Sequence, residues 1–199
     1  MPSPRPMSAP ADTAARGSTP ILLCAVGLFL TVVEITGFGF DFANDTVGFV
    51  LVCIGAARLP ADPGRVWSLF AAVSAGLAAV VSLFTYGGPA GQVLPMTYRL
   101  WNTMFHLDTT ATAGVVIGLL LMVRATAAST TERASLPVRA LPFLAALYAL
   151  SAAFQMLLFA SQSAYFGPLG HLRQVVGVMI GLLQSLTVIA VFLAARTRT

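Results

Sequence analysis

The sequence predicts an all-α fold, a polytopic transmembrane bundle of about six helices with both termini in the cytoplasm, and three observations carry it. Of 199 residues, 57% are hydrophobic and only 9% charged, whereas about a quarter of an ordinary soluble domain is charged. Mean hydropathy is +0.86. Apolar windows recur along almost the whole chain, separated by clusters of Asp, Gly, Pro or Arg. Every basic residue is Arg, and with six spans nine fall on one side: Arg5, Arg16, Arg58, Arg65, Arg124, Arg133, Arg139, Arg196 and Arg198. Arg99 and Arg173 fall on the other. The positive-inside rule assigns the arginine-rich side to the cytoplasm, and five spans would scatter these charges over both sides.

Residues 1–19 (MPSPRPMSAPADTAARGST) are rich in Pro, Ala and Ser and lack apolar periodicity, so they read as a disordered N-terminal tail. The apolar run behind it is followed by many others, which makes it a retained span rather than a cleaved signal peptide. Residues 20–195 form the helical bundle and 196–199 a short C-terminal tail. The windows lie at about 20–40, 44–58, 66–86, 100–123, 140–161 and 172–195. The second, between Asp45 and Arg58, is the shortest and barely long enough to span. One helix over 20–57 would run roughly 57 Å at 1.5 Å per residue, far beyond a bilayer's need, so this stretch turns back on itself. Gly114 with Gly118, and Gly177 with Gly181, have the spacing of close helix packing.

A net charge of +4 would suit nucleic acid only if the arginines formed a patch, and they flank apolar runs in ones, twos and threes. Nucleic acid is therefore excluded as a partner, and the lipid bilayer of the cell membrane is expected in its place. Cys24 and Cys53 sit inside apolar runs without CxxC spacing and read as buried thiols. His106 and His171 are isolated, which speaks for interfacial hydrogen bonding and against a metal site. No Walker loop, GxSxG elbow, GxGxxG or DDxxD-like cluster occurs, so no metal or other cofactor is expected.

Chemistry is sought in the ionisable residues inside the spans, because each costs a few kcal/mol at the bilayer centre. Glu34 lies roughly 9 Å below the outer end of the first helix and Asp108 roughly 12 Å below the same surface in the fourth. Thr31, Glu34, Phe38 and Asp41 share one face of the first helix; Trp101, Phe105, Asp108 and Thr112 share one face of the fourth. Further polar residues, among them Tyr86, His106 and Gln155, also fall in the outer half, while the inner halves read as almost wholly apolar. These positions describe a polar, aromatic-lined cavity open toward one side. The structural alternatives are an ion pair of Glu34 with Arg99 or Arg173, hydrogen bonds to Asp108 from Thr109, Thr112 or His106, and helix capping by Asp41 and Asp45.

The stretch DFANDTVGFVLVCIGAARL, Asp41 to Leu59, resembles the acidic turn and GFxLxxxGxxxL helix of many small bacterial membrane proteins. Taken whole, the chain is similar in size, hydropathy and acid placement to the small integral-membrane terpene cyclases of bacterial indole-sesquiterpenoid and meroterpenoid pathways. That resemblance implies proton-initiated cyclisation of a hydrophobic prenylated small molecule such as a farnesylated indole, which requires a protonated carboxylic acid, a dry cavity and aromatic faces toward the developing cation. It makes Glu34, Asp108 and Asp41 the candidate catalytic residues. Phe38, Tyr86, Trp101, Phe105, His106, Phe154 and Gln155 would bind substrate. The alternatives are a small proton-coupled transporter or exporter, and an accessory membrane subunit whose acids only fix helix packing. No oligomeric state follows from the sequence.

Overall fold

The computed structural model describes residues 12–32, 42–59, 64–84, 98–130, 136–160 and 168–196. They form six helices: α1 (Asp12–Val32), α2 (Phe42–Ala57), α3 (Arg65–Ser82), α4 (Tyr98–Thr130), α5 (Leu136–Ala160) and α6 (Pro168–Arg196). No strand occurs among the described residues.

Four helices contain stretches long and apolar enough to cross a bilayer: Arg65–Ser82, Asn102–Ala127, Val138–Leu158 and Gln174–Ala194. Their outward faces suit lipid. On α5, Phe143, Leu150 and Leu157 are each about two-thirds exposed at heptad spacing, a stripe that water would penalise and hydrocarbon does not. The apolar stretches of α1 and α2 are shorter, Thr19–Val32 and Asp45–Ala57. Each is about 20 Å long at 1.5 Å per residue, short of the roughly 30 Å of a hydrocarbon core.

Each helix packs against its neighbours in sequence, and α6 returns to pack on α1 and also on α4. Small residues make the closest contacts. A Cβ on Gly27 of α1 would stand 2.5 Å from the Gly48 carbonyl oxygen, and one on Gly48 would stand 2.6 Å from that of Gly27, so the α1 and α2 backbones meet only because both lack side chains. Across the α3–α4 interface Gly114 abuts Ser74, and Gly118 abuts Ala71, as their spacing predicts. Gly177 and Gly181 differ. Among the described residues nothing lies within 4 Å of a Cβ placed on either, so this second pair makes no close packing with them.

The α2–α3 turn is held by Arg65, whose guanidinium donates to the backbone carbonyls of Ala57 (3.1 Å) and Leu59 (2.8 Å). These are carbonyls at and just beyond the end of α2, where helical partners run out and a cation complements the dipole. Gly64, at φ 105°, supplies the left-handed residue that starts α3. It packs beside Ala125 and Met122 of α4, so Arg58, Arg65 and Arg124 gather at one end of the bundle. Asp45 stands in the first turn of α2, where an acid complements the helix dipole.

One boundary differs from expectation. α1 begins at Asp12, inside the stretch read as a tail. Asp-Thr-Ala-Ala-Arg is compatible with helix, and a span already nucleated by its apolar turns propagates back through such residues at little cost. Pro20 lies inside this helix, where it removes one backbone donor.

Candidate functional site

The interior of the bundle is lined mainly by Ala, Val and Leu, and it contains one described acid, Asp108. On α4 the heptad-related residues Val115 and Met122 are buried, and so is Ala111 one turn from the acid. Asp108 continues that stripe and is half-buried, so it stands on the inward face as its spacing predicts. One of the structural alternatives for it, a hydrogen bond from Thr109, is not made. Thr109 spends its hydroxyl on the Phe105 carbonyl (2.9 Å), and Thr110 donates to that of His106 (2.7 Å). Both bonds return to the preceding turn of the same helix, the usual fate of a threonine in mid-helix. Among the described residues no side chain donates a hydrogen bond to the Asp108 carboxyl group.

The interior also holds a polar pair that the charged residues of the sequence do not announce. Tyr148 of α5 is buried (2% exposed), and its hydroxyl oxygen accepts a hydrogen bond of 3.1 Å from Nε2 of Gln184 on α6. Tyr148 is the midpoint of the span Val138–Leu158, and Gln184 is the midpoint of Gln174–Ala194. Two consecutive helices, α5 and α6, thus contribute one polar group each to the middle of an apolar bundle. The signal was present in the sequence: Tyr148 and Gln184 both lie in the central part of their apolar windows. A survey confined to charged groups and to the outer half does not register it.

Other expected site residues are distributed less tightly. Phe105, one turn before Asp108, is half-buried and meets His106 edge-on, with ring centroids 6.0 Å apart and planes at 71°. Gln155 follows Tyr148 by two turns on the same face of α5. Its Oε1 is buried without a hydrogen-bond partner, as is Oδ1 of Asn102 near the start of α4. A buried amide carbonyl in this condition costs about 1–3 kcal/mol. Phe154 stands 39% exposed on the same side of α5 as Leu150 and Leu157. At 100° per residue it falls nearly opposite the inward stripe of Leu141, Ala145, Tyr148 and Ala152. Trp101 lies on the backbone of α4. Glu34, Phe38, Asp41 and Tyr86 lie outside the described residues.

The topology bears on the expected shared cavity of Glu34 and Asp108. Among the described residues α1 and α4 share no extended interface, and α6 packs against both. A site uniting residues from those two helices would therefore have α6 as its third wall. Among the described residues no three His, Cys, Asp or Glu side chains come together in a way that could hold a metal ion. Compared with family models, with curated proteins and with solved structures, the chain matches none.

Proposed function

We propose that this chain is an integral-membrane cyclase of the cell membrane that protonates a lipophilic prenylated small molecule, such as a farnesylated indole, with Asp108 as the proton donor. The observation that carries the reading is the Asp108 carboxyl group, placed on the inward stripe of an apolar bundle with no hydrogen bond to it from a described side chain. Keeping an acid at such a position is costly, and a structural role would return that cost through hydrogen bonds or an ion pair.

In the proposed reaction the O–H bond of the Asp108 carboxyl group breaks and a C–H bond forms at a terminal alkene carbon of the prenyl chain. The resulting cation closes rings and ends by losing a proton, so the overall change is an isomerisation that consumes no co-reactant. Phe105, one helical turn away, offers an aromatic face toward the cation. Glu34 and Asp41 remain the candidate second acids, for orienting Asp108 or accepting the last proton. The test is to incubate membranes containing the protein with farnesylated indole and to analyse the extract for cyclised isomers. The proposal expects products absent from control membranes, and an unchanged substrate across a panel of prenylated arenes rejects it.

A second reading, proton-coupled transport, draws on the Tyr148–Gln184 pair, since helical transporters commonly place their binding groups near the bilayer midplane. Purified protein in vesicles loaded with a pH indicator separates the two. Transport predicts substrate-dependent proton flux that Asp108→Asn abolishes, and cyclisation predicts none.

A further inference from the structure

We propose that the arginine end of the bundle holds the phosphate of an anionic phospholipid, with Arg58, Arg65 and Arg124 around the headgroup and the outer face of α3 as the bed for an acyl chain. This surface is separate from Asp108, which lies roughly 24 Å from Arg124 along α4 at 1.5 Å per residue.

Three helices bring the cations together. The Arg65 guanidinium donates through Nη1 to the carbonyls of Ala57 and Leu59, at 3.1 and 2.8 Å, so it lies against the backbone on either side of Arg58. Gly64 precedes Arg65 in the chain. A Cβ on it would stand 3.3 Å from the Ala125 Cβ and 3.4 Å from the Met122 carbonyl oxygen, and those two residues flank Arg124 closely in α4. Arg58 and Arg124 are exposed, and Arg65 is half-buried. A guanidinium has five N–H donors, and among the described residues those on Nη2 and Nε of Arg65 have no partner.

Among the described side chains no acid stands at this end to offset the charge. Asp45 is in the first turn of α2, at the other end of that helix from Arg58, and Asp108 is inside the bundle. In sequence, the stretches 58–65 and 124–139 carry five arginines against two acids, Asp62 and Glu132. Those two acids lie outside the described residues. A fixed excess of positive charge at a membrane surface favours an anion, and the planar fork of a guanidinium matches phosphate oxygens.

The adjoining surface decides which phosphate. Directly after Arg65, the exposed residues Val66, Phe70, Val73, Leu77 and Val80 run down one side of α3, all within about 40° of one line at 100° per residue. The stripe is roughly 21 Å long at 1.5 Å per residue, more than the roughly 15 Å of one leaflet's hydrocarbon. Trp67, 39% exposed, stands beside its upper end, where an amphipathic ring suits the headgroup level. A free phosphate makes no use of such a stripe. A phospholipid lays a chain along it while its headgroup meets the arginines, and the cytoplasmic leaflet, to which the arginine asymmetry assigns this end, is the anionic one.

The test uses Trp67 as the reporter, with Trp101, the other of the two tryptophans, replaced by Trp101→Phe. The full-length protein is placed in vesicles of phosphatidylcholine and phosphatidylglycerol, with bromine on the acyl chains of one lipid or the other. Bromine quenches a tryptophan that it touches, so the two quenching curves give the local preference for the anionic lipid. The proposal expects a preference on the order of tenfold, since an arginine near an anionic surface is worth roughly fivefold. Arg58→Gln and Arg124→Gln should each lower it by about fivefold, and together bring it near parity. Arg139→Gln should leave it in place, because among the described residues α5 shares no extended interface with α3. Equal quenching by both lipids before any arginine is changed overturns the proposal. An equal loss in Arg139→Gln and Arg58→Gln means diffuse attraction and also overturns it. Displacement by millimolar inorganic phosphate assigns the arginines to a free anion and rejects the lipid. Where the neutral variants fail to insert, rising salt is the second measurement: the preference should decline as exposed charges are screened, and one that salt leaves unchanged overturns the proposal.

Discussion

Substituting alanine for Gly118 and for Gly181 compares two glycines that the sequence presents as equivalent and the structure does not. A Cβ on Gly118 would stand 2.9 Å from the Ala71 Cβ, 3.0 Å from its backbone nitrogen and 3.1 Å from its Cα. The obstructing atoms belong chiefly to the backbone of α3, so relief requires the two helices to move apart. Overpacking of this kind costs about 1–3 kcal/mol. A Cβ on Gly181 meets nothing within 4 Å. Both changes carry the same gain in helix propensity, up to about 1 kcal/mol, which cancels when one variant is compared with the other. Gly118→Ala should therefore be less stable than Gly181→Ala by about 1–3 kcal/mol, or roughly 5- to 150-fold in the unfolding equilibrium at 1.4 kcal/mol per tenfold. Reversible unfolding in mixed micelles, titrated with denaturing detergent, measures the difference. Equal stabilities, or a larger loss at Gly181, would refute the α3–α4 packing described above.

Four other outcomes follow from the same structure. Arg65→Ala removes two hydrogen bonds to the end of α2 and should cost about 1 kcal/mol in the same unfolding assay, given the partial exposure of the site. Gln184→Leu, which leaves the buried Tyr148 hydroxyl without its donor, should cost about 0.5–2 kcal/mol, in the range of interhelical hydrogen bonds within membranes; no loss at all would mean that the bond does not form in lipid. Cys24 is fully buried and Cys53 half-buried, so a bilayer-permeant maleimide should label Cys53→Ser protein only after unfolding, and rapid labelling of native Cys24 would contradict the α1–α2 contact. Single cysteines placed at Pro89 and at Pro168 should react with an impermeant reagent from outside the cell, as the arginine asymmetry predicts for six spans. Reaction from the cytoplasmic side alone would reverse that topology.

The fold class was legible because it rests on solvent transfer: runs such as those in α3 to α6 have one stable environment, and their lengths match the bilayer. The positions of α2, α3, α5 and α6 follow closely from the breaks at Asp, Gly, Pro and Arg. The start of α1 did not, because helix propagation past the apolar run depends on propensity rather than on hydropathy. Gly114 with Gly118 and Gly177 with Gly181 have the same spacing, yet among the described residues only the first pair meets a neighbour. Spacing fixes which residues share a face, and the partner on that face is a tertiary fact.

The candidate site divides in the same way. Asp108 was legible because an acid in an apolar window stands out, whereas its place on one stripe with Val115 and Met122 is read from the burial of those residues. Tyr148 and Gln184 were not singled out, although their central positions could have been read. Their joining is a contact between α5 and α6 that no local pattern encodes. Phe154 and Gln155 were both named as substrate-binding, but adjacent residues on a helix differ by 100° and face different surroundings.

The central claim, that Asp108 delivers a proton to a prenyl chain, is tested most directly by running the reaction with farnesylated indole in deuterated water. A carboxyl group that exchanges with solvent would place one deuterium on carbon in each cyclised product. Asp108→Asn, which preserves shape while removing the acid, should lower the rate by about 10²- to 10⁴-fold, as loss of a general acid does. Product formed by Asp108→Asn at the unaltered rate, or product without deuterium on carbon, would contradict the claim.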